Sequence, residues 1–153
     1  MQSSVIKEGG VMNPGDRNYS AMLARDTFLS RYRYLKLDGR VAEETFGNER
    51  YLNQAFYTSR DWKVTRDEVI VRDQGRDLGH PEFPIMGPIT VHHINPVTAS
   101  QIIQGDPVIL ELENLICVSH NTHNAIHYGD ESLLPADWVD RKPGDTTLWE
   151  RKW

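Results

Sequence analysis

All six histidines of this chain lie between positions 80 and 127, and four of them have spacing that can do chemistry. His123 and His127 are four apart, so on a helix they project from one face about one turn from each other. His92 and His93 close a short β-branched run, Ile89-Thr90-Val91-His92-His93-Ile94. Three neutral imidazoles suit a borderline divalent ion, which assigns His92, His123 and His127 as ligands if the strand packs against the helix. Neighbours on a strand point to opposite faces, although a bend at its end can bring both into one site with different tasks. A free imidazole titrates near pKa ~6.5, so His93 can take a proton from water at neutral pH. A bland reading stands beside each of these. Any helix can carry two histidines on one face by chance, and a single histidine is more often a surface or satisfied core residue, so His80 and His120 receive no role. Cys117 is the only cysteine, which excludes an internal disulfide and a zinc site built from two CxxC pairs.

The elements that must position these histidines follow from pattern and punctuation. The strand over 89–94 is stopped by Asn95-Pro96, a second short strand runs over Asn114–Val118, and Ser119 caps a helix that Gly129 ends. Together they form a compact ββα unit. Thr98–Gln104 before Gly105 reads as one helical turn, and 76–88, with Gly79, Pro81, Pro84, Gly87 and Pro88, excludes a long regular element. Upstream, a helical pattern begins at Ser20, with Phe28, Leu29, Tyr32 and Leu35 at helix spacing and Gly39 as the stop; it carries Arg25, Arg31, Arg33 and Lys36. Glu43–Thr58 is aromatic-rich and partly helical, and Ser59 caps a helix to about Arg72 with Trp62, Arg66 and Val69 on one side, ended by Asp73-Gln74-Gly75. The expected fold class is α+β, one domain in four regions: a loose leader (1–17), a helical, relatively basic region (18–75), the ββα core (76–130) and an irregular tail (131–153) whose Leu133, Leu134, Trp138, Leu148, Trp149 and Trp153 wrap back onto the core.

A chain of 153 residues that is 39% hydrophobic and 25% charged is long and apolar enough for one packed core, which excludes a disordered or low-complexity polymer. No apolar run approaches the roughly 18 residues of a membrane helix, and Met1–Gly10 lacks the apolar stretch of a signal peptide, so a soluble, cytoplasmic protein is expected. The net charge of −5 argues weakly against a polyanionic partner. The average conceals an asymmetry, because residues 17–72 carry 11 Lys and Arg against 8 Asp and Glu, whereas 73–153 carry 5 against 12.

The order Val91-His92-His93-Ile94-Asn95-Pro96, then Asn114-Leu115-Ile116, then His123-Asn124-Ala125-Ile126-His127 resembles the HNH, or ββα-metal, endonucleases, in particular the small ones encoded by bacteriophages. Arg40–Gly47, Tyr51-Leu52-Asn53-Gln54, Trp62 with Arg66, and His127-Tyr128-Gly129-Asp130 extend the likeness over most of 28–134, and the His-x3-His ending is similar to the colicin nucleases. The resemblance implies metal-dependent hydrolysis of DNA phosphodiesters, by nicking or double-strand cleavage, leaving 5′-phosphate and 3′-hydroxyl ends. It implies one divalent cation (Mg²⁺, Mn²⁺, Ni²⁺ or Zn²⁺) on His92, His123 and His127, with His93 as general base and Asn114 holding the connecting loop. Arg60, Lys63, Arg66 and Arg72 flank the site in sequence as candidate phosphate contacts, Arg66 foremost because it stands beside Trp62. The implied setting is the cytoplasm of a phage-infected or lysogenic bacterium, with terminase and genome packaging as a possible link.

The chain departs from that family at one place. Where many HNH proteins hold a structural zinc with two CxxC pairs, the matching positions look like Asp77, His80, Ser119 and Thr122, so no structural zinc is expected and Trp62, Leu78, Phe83 and Ile85 are expected to hold the loop by packing. The rival reading is a metal-stabilised module that binds nucleic acid or terminase without cutting, which the acidic net charge favours. It makes His93 dispensable, whereas a nuclease requires it. A metal hydrolase of another kind finds no support, since the chain has no HExxH or carboxylate cluster.

Overall fold

A computed structural model describes residues 17–37 and 50–135, with the side chains of Arg50 and Tyr51 excepted. The leader through Asp16, the Arg40–Gly47 stretch and the tail from 136 onward, including Trp138, Leu148, Trp149 and Trp153, lie outside the described residues.

The described residues form an α+β fold. Helix α1 (Tyr19–Leu23) starts where the Asn18 side chain accepts from the Ala21 amide, and α2 (Phe28–Leu35) starts at a capping box between Thr27 and Ser30. The single helical pattern expected from Ser20 is therefore two helices, because two good N-caps sit within ten residues. Helix α2 ends at Leu35, before Gly39, where Lys36 turns extended. Its buried face is Phe28, Arg31, Tyr32 and Leu35, while Leu29 is exposed. Arg31 is tolerated inside because backbone carbonyls of Leu23, Arg25 and Leu78 accept from its guanidinium.

Helix α3 (Arg50–Thr58) leads to α4 (Arg60–Asp73), which Ser59 caps through the Trp62 amide; α4 ends at Gln74, left-handed at φ 55°. The loop over 76–88 contains a 3₁₀ turn at Asp77–Gly79 and an isolated bridge from Arg76 to Pro84. Strand β1 (Thr90–His93) follows, then α5 (Ala99–Gln104) between its Thr98 cap and Gly105, two further 3₁₀ turns, β2 (Leu115–Val118), and α6 (His120–Tyr128) between Ser119 and Gly129. A last 3₁₀ turn, Glu131–Leu133, precedes Leu134, which packs on the core.

The two strands pair antiparallel with His92 opposite Ile116 and His93 opposite Leu115. This small sheet is a middle layer, so alternation sends its side chains into two cores. Ile116 and Val118 join Tyr32 and Leu35 of α2 and Ala125 and Ile126 of α6; Val91, Leu115 and Cys117 join Trp62 and Val69 of α4. Burial on both faces explains why β2 is apolar throughout rather than alternating. Burial and the adjacent Asp73 carboxylate push the Cys117 thiol up to about 12, which leaves it protonated and unreactive at neutral pH. Among the described residues no helix is long and apolar enough to cross a membrane.

The loop over 76–88 is held by packing and by a polar knot. Leu78 is fully buried, Phe83 stacks on Phe28 with centroids 4.0 Å apart, and Ile85 packs with Trp62. Asp77, 2% exposed, accepts from the Ser119 amide (3.1 Å), the Ser119 hydroxyl (2.8 Å) and the Thr122 hydroxyl (2.6 Å), tying the loop to the first turn of α6. His80 turns away, with Nε2 at the Asp26 carbonyl and Nδ1 accepting from the Glu82 amide. Burial pushes the Asp77 carboxyl up, and the three hydrogen bonds from Thr122 and Ser119 pull against it. Asp77→Ala, which leaves the buried Thr122 hydroxyl and the part-buried Ser119 donors without their acceptor, is expected to cost about 2–4 kcal/mol in denaturant unfolding. Asp77→Asn, whose amide can accept from the backbone and donate to the hydroxyls, is expected to cost less than half of that.

Candidate metal centre

Strand β1 delivers its two terminal histidines to opposite faces, and both still line one cavity of about 360 Å³ at the end of the sheet. His92 meets α6: its ring centroid is 5.2 Å from that of His123 and 5.0 Å from that of His127. Helical spacing does the rest, placing His123 and His127 Nε2 atoms 2.9 Å apart. One nitrogen from each of the three rings lies within 4.8 Å of the others.

This donor set fits a divalent cation. The His92 ring is 2% exposed and its buried Nε2 has no hydrogen-bond partner, an arrangement that costs stability unless something occupies the nitrogen. Two nitrogens on a tetrahedral ion at ~2.05 Å would stand about 3.3 Å apart, close to the spacing on α6. Burial, reinforced by the neighbouring imidazoles, holds His92 well below the ordinary histidine range; burial alone lowers His127 and takes the larger part in bringing His123 to about 4. All three rings are neutral at pH 7, the form that binds metal.

His93 faces α3 and α4. Its Nε2 lies 2.8 Å from the Ile109 carbonyl oxygen, which can only accept, so Nε2 carries the proton and Nδ1 keeps the lone pair. The Trp62 ring stacks on it at 5.2 Å and 21°, and Phe56 and Tyr57 close the same aromatic wall. Burial lowers His93 to about 4, against the opposing pull of the Ile109 hydrogen bond.

Asn114 sits behind the site rather than in the cavity. Its Oδ1 accepts from the Asn95 amide and side chain, its Nδ2 donates to the Val108 carbonyl, and its own carbonyl accepts from the Ile94 amide. These bonds fix the backbone just after His93 and the 3₁₀ turn that supplies Ile109, which makes Asn114 a positioning residue.

The four cations of α4 separate. Arg66 lines the cavity, donating to the Ile89 carbonyl at 3.1 Å with Asp67 at 3.7 Å. Arg60 and Lys63 are exposed and do not line it. Arg72 turns into the fold: its guanidinium makes four hydrogen bonds, to the buried Asp73 carboxylate and the Leu112 and Leu115 carbonyls, and lies 3.5 Å over the Tyr19 ring. Sequence reasoning missed the Ile109 carbonyl and the cavity positions of Tyr57 and Val97, none of which has a local signature, and gave Asn53 no role beyond the stretch it belongs to.

The fold and site thus define a mixed α+β protein with a candidate three-histidine metal centre. No protein-family model matches the chain, and neither does any curated protein or solved structure compared with it.

Proposed function

We propose that this protein is a metal-dependent endonuclease of the ββα-metal, HNH type, hydrolysing phosphodiester bonds in DNA. The observation that carries the reading is the division of labour at the end of β1: His92 joins the α6 histidines in a neutral three-nitrogen cluster, while His93, one residue on, lines the same cavity with its Nε2 held by the Ile109 carbonyl. A lone metal-stabilised module has no use for a second imidazole whose tautomer is fixed so specifically.

His92, His123 and His127 would hold the cation. Bound there, a divalent ion supplies Lewis-acid stabilisation of charge on the phosphate and the departing oxygen. His93 Nδ1 takes a proton from the attacking water, and the Ile109 carbonyl both fixes that tautomer and stabilises the imidazolium as it forms. A phosphate anion in the cavity raises the basicity of His93 from its buried, depressed value toward the working range. Trp62 limits the ring to one orientation, and Arg66 offers its remaining donors to a phosphate oxygen.

The test is conversion of supercoiled plasmid to nicked and linear forms with Mg²⁺, Mn²⁺, Ni²⁺ or Zn²⁺, against EDTA. Cutting only in the presence of a metal is expected. Absence of cutting under every metal, with DNA binding retained, would replace this reading by the binding module that the acidic composition favours. A packaging role with terminase is the biological setting this reading suggests.

A further inference from the structure

We propose that the groove on the α1–α2 hairpin, built around Arg25 and Arg33, is a second contact surface for the phosphate backbone of duplex DNA; the choice of partner rests on the nuclease reading. The groove has a volume of about 480 Å³ and is lined by Arg17, Arg25, Arg33 and Tyr34 among others, with no carboxylate among the described lining residues. In a chain of net charge −5, a concave surface lined by Arg25 and Arg33, with Glu131 against Arg33 and no acid among the described lining residues, favours an anionic partner.

The arginines are pre-organised. Arg25 lies 4.0 Å over the Tyr34 ring and donates one Nη1 bond to the Ala21 carbonyl, and among the described residues Nε and Nη2 have no hydrogen bond. A guanidinium held over an aromatic ring loses less freedom when it grips a phosphate. Arg33 is engaged through Nε alone by Glu131 at 2.9 Å, an exposed pair of small net value, and its Nη groups remain for a ligand. Arg17 donates weakly to the Leu35 carbonyl at 3.5 Å, and its own carbonyl accepts from Asn95, the residue two beyond His93.

That last bond, together with Leu37, ties the groove to the imidazole cavity. Leu37, two residues past α2, lines the cavity, and α2 has eight residues and so a length of about 12 Å. Groove and cavity are thus joined through one short helix, and a duplex longer than that helix is the occupant proposed to span them. Arg60 and Lys63 stay exposed on α4, and the α1–α2 hairpin adds Arg25 and Arg33 to them.

The experiment measures binding of a fluorescent 20-base-pair duplex across a salt series, using full-length, Zn²⁺-loaded His93→Ala protein so that the probe is not cut. Arg25→Gln combined with Arg33→Gln is expected to reduce the slope of log Kd against log salt by nearly 2, at ~0.9 per phosphate contact, and to weaken binding about tenfold. Glu131→Gln, which frees Arg33, is expected to tighten binding about twofold, and it decides alone if the double variant does not fold. An unchanged slope in a folded double variant, or no tightening by Glu131→Gln, overturns the proposal. So does loss of binding to a poly-glutamate peptide with DNA binding intact, which would assign the groove to an acidic protein segment. Plasmid cutting by the unsubstituted protein is scored in parallel. Cutting with an unchanged slope sinks the groove alone, and a reduced slope without cutting sinks the nuclease reading alone.

Discussion

His93→Ala is expected to reduce metal-dependent plasmid cutting by about 10²–10⁴-fold, the range over which a positioned general base contributes. The effect should be large because nothing near the cavity can substitute. Among the described lining residues the other imidazoles belong to the cation cluster, no carboxylate lines the cavity, and Arg66 is a donor only. The variant should retain its metal, since His93 faces α4 and hydrogen-bonds Ile109 rather than the α6 histidines. Gel quantification of nicked and linear product over time, with metal content measured on the same samples, checks both halves. Equal cutting by variant and unsubstituted protein would remove His93 from the base role. Loss of bound metal in the variant would mean that the two histidines do not act separately.

Much of the arrangement was legible in the sequence wherever local chemistry decides structure. Ser59, Thr98 and Ser119 each cap the helix their position implies, because a hydroxyl three residues before an amide satisfies a donor that the helix cannot. The His123/His127 pair follows from helical geometry alone. What was not legible depends on contacts far apart in sequence. Nothing around Arg72 announces that Asp73 will be buried beside Cys117 and will draw the guanidinium inward. Nothing around Ile109 marks its carbonyl as the partner of a ring sixteen residues earlier. Asp77, Ser119 and Thr122 were noted only as positions lacking cysteine, yet together they form a hydrogen-bonded tie between the same two segments. The split of α1 from α2 was readable in principle from Asn18 and Thr27, but the apolar spacing across them masked the break.

Removing the cation should lower thermal stability, and His92→Ala should abolish that dependence. In the metal-free protein the buried His92 Nε2 is a desolvated acceptor with no partner, so ligation offsets a cost that folding has already incurred. A ligand that binds only the folded chain at a hundred times its Kd stabilises it by about 2.7 kcal/mol, which at this size corresponds to a rise in Tm of roughly 5–10 °C. Scanning calorimetry with Zn²⁺ or Ni²⁺ and then with excess EDTA should show the rise and its reversal. In His92→Ala two imidazoles remain on α6, held by the helix itself, and two ligands of this kind bind an exchangeable ion far more weakly than three. The metal-induced rise should therefore fall below about 2 °C in His92→Ala while His93→Ala keeps it in full. An equal rise in His92→Ala would place the cation elsewhere and would withdraw the site on which the proposed chemistry depends. Loss of the rise in His93→Ala would instead make that ring part of the ligand set, against the pleat of β1, which sends the two neighbouring side chains to opposite faces.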